Sequence, residues 1–234
     1  MAVDGNGFIS KLNPDGSVID LKWIDGEKAG VTLNAPKGAA IVGKHLFVTD
    51  IDQVHVFRLS DGQPEKSISI SGSTFLNGIT PGVGDYVYVT DSGFSEGLVP
   101  SGTDAIYKVW ANGRYETIIK NKELGGPNGI WDDDGHLVVV TFGSGKMISI
   151  DRSGKTTTLP TPPYGQLDGL VKLEDGRFLV SSWGGAAIYA LNKENTFTVF
   201  ANALDAPADL SVDTKRKRLL IPLFKENKVV ILPF

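Results

Sequence analysis

The sequence contains no cysteine, which excludes disulfide bridges, zinc–thiolate centres and thiol nucleophiles. A chain without thiols suits the cytoplasm and the periplasm alike. Helix signals are also scarce. No stretch repeats apolar residues at i, i+3, i+4 and i+7 over three turns without a Gly or Pro interrupting it. No apolar run approaches the ~20 residues of a membrane span. Residues 1–7 lack the basic and apolar pattern of a signal peptide, so a soluble protein of either compartment is expected. Positive charge is in short supply: 23 Lys and Arg stand against 27 Asp and Glu, a net charge of −4. The one basic run, Lys215, Arg216, Lys217 and Arg218, falls in a predicted turn and reads as a solvated loop tip. Nucleic acid is therefore not an expected partner. The three histidines, His45, His55 and His136, open or lie within predicted strands. None stands where a catalytic base is needed, and no Ser-His-Asp triad is expected.

Glycine and proline, by contrast, are plentiful. The 234 residues include 28 Gly and 12 Pro, placed between short apolar runs as expected for many strands joined by tight turns. The chain is long enough for one domain with a large core. Five segments of it read alike, which is the signature of a repeat architecture. Each has an opening loop, a polar residue usually followed by Gly, and a first strand. A second strand ending mostly in Thr or Ser follows, then a third strand, a turn and a fourth. The second strands fall at 45–50, 86–91, 136–141, 177–182 and 218–222, and the third at 54–59, 105–109, 147–151, 187–191 and 228–232. Asp61-Gly62, Asn112-Gly113, Ser153-Gly154 and residues 193–195 turn the chain into the fourth. The polar anchors are Lys37, Asn77, Asn128, Asp168 and Asp209, spaced 40, 51, 40 and 41 residues apart. The long interval contains a Gly- and Ser-rich insertion, residues 92–104.

Four antiparallel strands per unit at this period indicate an all-β fold, a β-propeller. Residues 1–24 read as the third strand, turn and fourth strand of a further blade, and the unit at 204–234 lacks a fourth strand. Blades are expected at about 33–70, 74–120, 124–159, 164–200 and 204–234, in one propeller domain spanning 1–234. The favoured expectation is a six-bladed propeller with its first blade incomplete. Its open seam would expose strand edges and favour self-association. The alternative is a five-bladed closure, in which the N-terminal hairpin moves onto the last blade.

In a four-stranded blade the first strand lies at the central axis, and its start shares a rim with the end of the second. The anchors are therefore expected to converge on one funnel. Asp50, Asp91, Ser92, Phe142, Ser182 and Trp183 should stand around them. Asn and Asp before Gly are also ordinary turn chemistry. Oxygen ligands gathered at an axis, however, are costly unless a positive charge neutralises them. Two amides and a carboxylate are hard oxygen donors suited to calcium.

The residues 126–130, 166–170 and 76–78, reading GPNGI, QLDGL and LNG, resemble the gluconolactonase / senescence-marker-protein family of six-bladed propellers. The resemblance covers essentially the whole chain. It implies one divalent ion, usually calcium, at the axis, with Asn77, Asn128 and Asp168 as ligands. It further implies a lactone or ester carbonyl polarised by that ion, with Asp168 as base or nucleophile. The family's remaining ligand, a Glu, falls before residue 1, so weakened metal binding is expected. Asp4 is a substitute near the same rim. The family's sugar-binding Arg is also missing, from the stretch Phe75, Leu76, Asn77, Gly78. Lys37 brings a positive charge to the rim, and with Asp209, Asp91, Phe142 and Trp183 it makes up the expected substrate-binding set. The insertion at 92–104 is placed as a lid.

Two functions follow. The first is a calcium-dependent hydrolase of a lactone or ester. The second is a non-catalytic propeller of the NHL-repeat type, whose rim holds a small anion, glycan or peptide.

Overall fold

The computed structural model describes residues 3–234. The chain opens with a hairpin of β1 (Phe8–Leu12) and β2 (Val18–Asp25). The first blade follows: β3 (Pro36–Val42), β4 (His45–Asp50), β5 (Gln53–Arg58) and β6 (Pro64–Ser69). The second holds β7 (Leu76–Pro81), β8 (Tyr86–Asp91), β9 (Ala105–Trp110) and β10 (Tyr115–Lys120). The third holds β11 (Pro127–Asp133), β12 (His136–Thr141), β13 (Met147–Ile150) and β14 (Thr156–Thr158). The fourth holds β15 (Leu167–Lys172), β16 (Phe178–Ser182), β17 (Ala187–Leu191) and β18 (Phe197–Ala201). The fifth has three strands, β19 (Ser211–Asp213), β20 (Arg218–Leu223) and β21 (Lys228–Pro233). Every pairing between neighbours is antiparallel and in sequence order. No helix among the described residues is long and apolar enough to cross a membrane.

The molecule thus has five blades, the alternative of the two expected closures, and not six. The reason lies in the hairpin. β1 and β2 form a two-stranded sheet of their own, and residues 26–35 run straight into β3 without supplying strands that face the axis. The expected move onto the last blade is not seen as a ladder either. Instead the hairpin packs on the first blade. Ile24 and Leu33 are buried with Leu46, Val48 and Phe57, and the Gly7 amide donates to the Leu33 carbonyl at 3.0 Å. Its turn reaches the fifth blade, with Gly16 near the Ile231 side chain. Val18, Ile19 and Leu21 of the hairpin, Ile41 of β3 and Val229 of β21 remain exposed.

The inner strands make the fold cohere. In four blades the ladder between first and second strand skips two residues, between Pro36 and Ala39, Leu76 and Ile79, Pro127 and Ile130, and Leu167 and Leu170. The skipped pair is always an anchor and its glycine. Such a bulge re-aims side chains away from the sheet. It also brings the glycine against the next blade. A Cβ on Gly38 would stand 2.7 Å from the Asn77 carbonyl oxygen, and one on Gly169 2.7 Å from that of Ala208. Gly78 and Gly129 meet the Asn128 and Asp168 carbonyls more closely still. Only glycine permits this approach.

A hydroxyl from the second strand completes three of the four junctions. Thr49 Oγ1 accepts from the Gly38 amide at 2.9 Å and donates to the Asn77 carbonyl of the next blade at 2.6 Å. Thr90 does the same for Gly78 and Asn128 at 2.9 Å each. Ser181 joins Gly169 to Ala208 at 2.6 and 2.8 Å. This explains the recurring Thr or Ser near the end of the second strands. The third blade carries Val140 at that position and has no such clasp. Apolar clusters fill the space between blades, as with Phe47, Val56, Val87 and Tyr107 across the first two.

A Thr90→Val variant keeps the shape of the side chain and leaves a buried amide and a buried carbonyl without partners. It is expected to lose about 1–3 kcal/mol of unfolding free energy, read by denaturant titration. An unchanged value would mean that the hydroxyl contributes nothing to blade cohesion.

Candidate functional site

The bulges place the anchors where the inner strands converge. Asn128 and Asp168 are buried there, at 3% and 9% exposure. Asp168 lies close enough to Asp209 for their charges to repel, with the Asn128 amide and the Trp183 indole beside it. Burial first, and the Asp209 charge second, push the Asp168 carboxyl up to about 8. Neither polar neighbour makes a hydrogen bond to it of normal geometry, yet both favour its charged form and offset part of that rise. Indeed the Trp183 Nε1 is buried without any partner. Asp209 is raised to about 6 by burial, against the bond its Oδ1 accepts from the Leu210 amide at 2.9 Å.

Asn77 joins this group indirectly. Its Nδ2 donates to Ser92 Oγ at 3.1 Å, and Ser92 in turn donates to the Pro127 carbonyl at 2.6 Å. The amide is thereby tied to the residue preceding Asn128, with its Oδ1 left open. The donors at the axis are therefore two amide oxygens and two carboxylates, all hard and suited to a cation such as calcium. Among the described residues, no three His, Cys, Asp or Glu side chains come together to hold a metal, so any cation here must draw on the asparagines. Asp4 does not reach out to it. Its oxygens accept from the backbone and side chain of Asn6.

The other expected residues divide. Asp91 is fully buried, and its oxygens accept from the Phe75 and Gly93 amides at 2.9 and 3.0 Å. It fixes the loop that precedes β7 and has no surface to offer a substrate. Asp50 does the same for the first blade, accepting from Asn34 and Ala35 at 2.6 and 2.7 Å. Burial would raise Asp50, but His55 and those two amides outweigh it and hold the carboxyl below its ordinary value. His55 stands between Asp50 (3.4 Å) and Ser67 (2.8 Å). Ser67, His55 and Asp50 thus line up within one blade, although the His55 Nε2 makes no hydrogen bond of normal geometry to Asp50.

Lys37 does not approach the carboxylates. Its Nζ donates to the Ala35 carbonyl at 3.0 Å and lies 4.4 Å over the Phe75 ring. Burial lowers it to about 8, with Asp50 opposing. Phe142 and Trp183 do meet, edge to face at 5.2 Å. They belong to a longer row that the sequence reading missed. Phe75 contacts Phe94 at 5.9 Å, Phe94 contacts Phe142 at 6.3 Å, and Trp183 contacts Phe224 at 5.1 Å. A signal was available: Phe142, Trp183 and Phe224 each directly follow a second strand. Phe94 comes from the insertion, which is pinned rather than free. Ser101 bonds back to Gly93, and Asp104 accepts from the Gly126 amide at 2.7 Å. Residues 95–102, with the turn at Glu96–Leu98, are exposed.

Raised carboxyls have a consequence for stability. The folded chain keeps protons on Asp168 and Asp209 that the unfolded chain releases near pH 4. Folding therefore takes up protons between about pH 4 and pH 8, and stability falls as pH rises through that window. In chelator-treated protein, the denaturant midpoint is expected to drop from pH 5 to pH 8. Asp168→Asn should flatten most of that drop. A wild-type midpoint that holds constant would show that these carboxyls are not perturbed.

No family model matches the sequence, and a search of curated proteins finds no match. Solved structures share its fold. A gluconolactonase from Xanthomonas campestris superposes with a TM-score of 0.77 at 17% identity, covering 99% of this chain and 80% of that one. A virginiamycin B lyase from Staphylococcus aureus gives 0.65 at 16%, covering 99% and 89%. A chain of the nidogen/laminin complex gives 0.69 at 20%, covering 85% and 75%. At these identities the likeness is one of architecture, and it places this chain among the β-propellers.

Proposed function

We propose that the axial rim is the active site of a lactone or ester hydrolase that works with a divalent cation, calcium being the best match. One observation carries the reading. The carboxyl of Asp168, buried, and that of Asp209, half-buried, repel each other beside the Asn128 amide, and no cationic side chain among the described residues relieves their repulsion. Such an arrangement is costly for the bare protein. The gluconolactonase neighbour adds fold-level support.

Asn77, Asn128, Asp168 and Asp209 are the residues that would hold the cation. When bound, it supplies the missing positive charge and polarises an ester carbonyl. Asp168 then acts in its ionised form. It accepts a proton from a water molecule as the water oxygen adds to the carbonyl carbon. The ester C–O bond breaks, and the leaving alkoxide takes up the proton. The bulge and the Gly169 clasp fix the Asp168 backbone for this role. Phe142 and Trp183 shield one side of the site from bulk water, which strengthens its electrostatics.

A binding propeller without catalysis is the second reading. Lys37 favours it, because a lysine on the same rim suits an anion without any cation. The nidogen/laminin neighbour is a propeller of a protein–protein complex.

Calorimetry of calcium into chelator-stripped protein is expected to give binding in the wild type and none in Asp168→Ala. Affinity should rise from pH 6 to pH 8 as the carboxyls lose their protons. Lactone hydrolysis should require the ion and fall at least a hundred-fold in the variant. Absence of calcium binding to the wild type would overturn the hydrolase reading and leave the binding propeller.

A further inference from the structure

Ser67 lies on β6, the outermost strand of the first blade, away from the inner strands that carry the axial site. Asp50 on β4 and His55 on β5 lead to it from the interior. Strand pairing brings the three together. The Ile70 amide bonds to the carbonyl of Asp52 opposite it at 2.9 Å. Antiparallel ladders alternate bonded and non-bonded pairs. His55 and Ser67, opposite each other in the same register, therefore form a non-bonded pair, the kind in which side chains approach most closely. His55 also stands opposite Val48, on the face that buries Leu46, Val48 and Phe57. The imidazole is 2% exposed, whereas Ser67 is open to solvent. The hydroxyl is thus the accessible end of a line whose other two members are interior.

Burial would raise the Asp50 carboxyl, but His55 and the amides of Asn34 and Ala35 hold it below its ordinary value, so it is an anion at neutral pH. The His55 Nε2 stands 3.4 Å from Asp50 Oδ2 and has no hydrogen-bond partner. A carboxylate at that distance favours the tautomer with the proton on Nε2. Nδ1 is then an acceptor, and the Ser67 hydroxyl donates to it at 2.8 Å. A hydroxyl bonded to a neutral imidazole that is backed by a carboxylate is an activated nucleophile. Contacts of this kind are often long before substrate binds and tighten afterwards. The same register turns the Ser67 amide away from β5 to the open edge of the blade, free to donate to an oxygen that gains charge.

We propose that Ser67 is a nucleophile that accepts acyl or phosphonyl groups, with His55 as its base and Asp50 as the positioning residue. The Ser67 Oγ adds to the carbonyl carbon of an activated ester as its proton passes to His55 Nδ1. The ester C–O bond breaks, the departing oxygen takes that proton, and Ser67 is left acylated. No such triad is expected from the sequence, because its members come from three strands and only the pairing register makes them neighbours. The site needs neither the axial carboxylates nor a cation.

The test labels the chelator-treated chain with a biotin-tagged fluorophosphonate and locates the adduct by peptide mass spectrometry. Ser67 should carry the phosphonyl group, with fluoride released, and react about ten-fold faster than Ser69. Ser69 is exposed on the same face of β6 but stands opposite Gln53. Ser67→Ala should lose the adduct and keep the wild-type unfolding midpoint. His55→Gln should slow labelling roughly a hundred-fold. Because His55 is buried, a second comparison leaves the core intact. The chain has no cysteine, so Ser67→Cys and Ser69→Cys each introduce a single thiol. The thiol of Ser67→Cys should react with iodoacetamide about ten-fold faster, because a neighbouring imidazole favours the thiolate. Equal rates for the two thiols would overturn the proposal, as would a fluorophosphonate adduct that is missing from Ser67 or equally abundant on Ser69. Asp168→Ala should leave the labelling unchanged, so failure of the hydrolase reading does not affect these outcomes.

Discussion

The structure depends on how closely one inner strand can approach the next. At Gly38, Gly78, Gly129 and Gly169 the neighbouring blade's carbonyl occupies the space a side chain would need. Glycine here is a packing requirement more than a conformational one, since none of these four has a positive φ. The approach strands polar backbone groups in a buried place, where each would cost about 1–3 kcal/mol unpaired. Thr49, Thr90 and Ser181 meet that demand from both sides, with one hydroxyl accepting within its blade and donating to the next. Blade geometry, the bulge and the anchor residue are therefore a single device. The anchor points at the axis because its glycine must lie against the neighbour.

That device also makes the site unfavourable for the bare chain. A strand start packed this tightly excludes water, and Asn128, Asp168 and Asp209 are polar groups set where solvation is poor. Asp168 and Asp209 respond by holding their protons. Asp50 and Asp91 are no less buried, yet backbone amides satisfy them and they serve as loop anchors, Asp50 below its ordinary value and Asp91 still raised by its burial. The contrast separates structural from functional carboxylates by what their oxygens meet. Burial alone does not make the distinction.

The sequence carried the architecture well because its determinants are local and repeated. The second strands at 45–50, 86–91 and 136–141 lie where the apolar runs place them, and four of the five anchors sit one residue before the glycine that packing demands. Blade number was harder to read. The hairpin 8–25 has the pattern of an outer strand pair, and pattern cannot say whether such a pair joins a blade or stands beside one. Asp91 ends a second strand and Asp168 opens a first, and the sequence places both at one rim. The loop folding back onto Asp91 takes it out of the site, and that is a tertiary contact. The aromatic row escaped notice for a related reason. Its members come from separate blades and an insertion, so no window of sequence shows them together.

Val140 gives the ring an uneven seam. It leaves the junction between third and fourth blades as one where glycine and carbonyl meet without a bridging hydroxyl. The residues flanking that junction are Asn128 and Asp168. Among the four bulged junctions this one alone lacks a hydroxyl rivet, and a ligand held by both residues would supply there the mechanical link that Thr49, Thr90 and Ser181 give elsewhere.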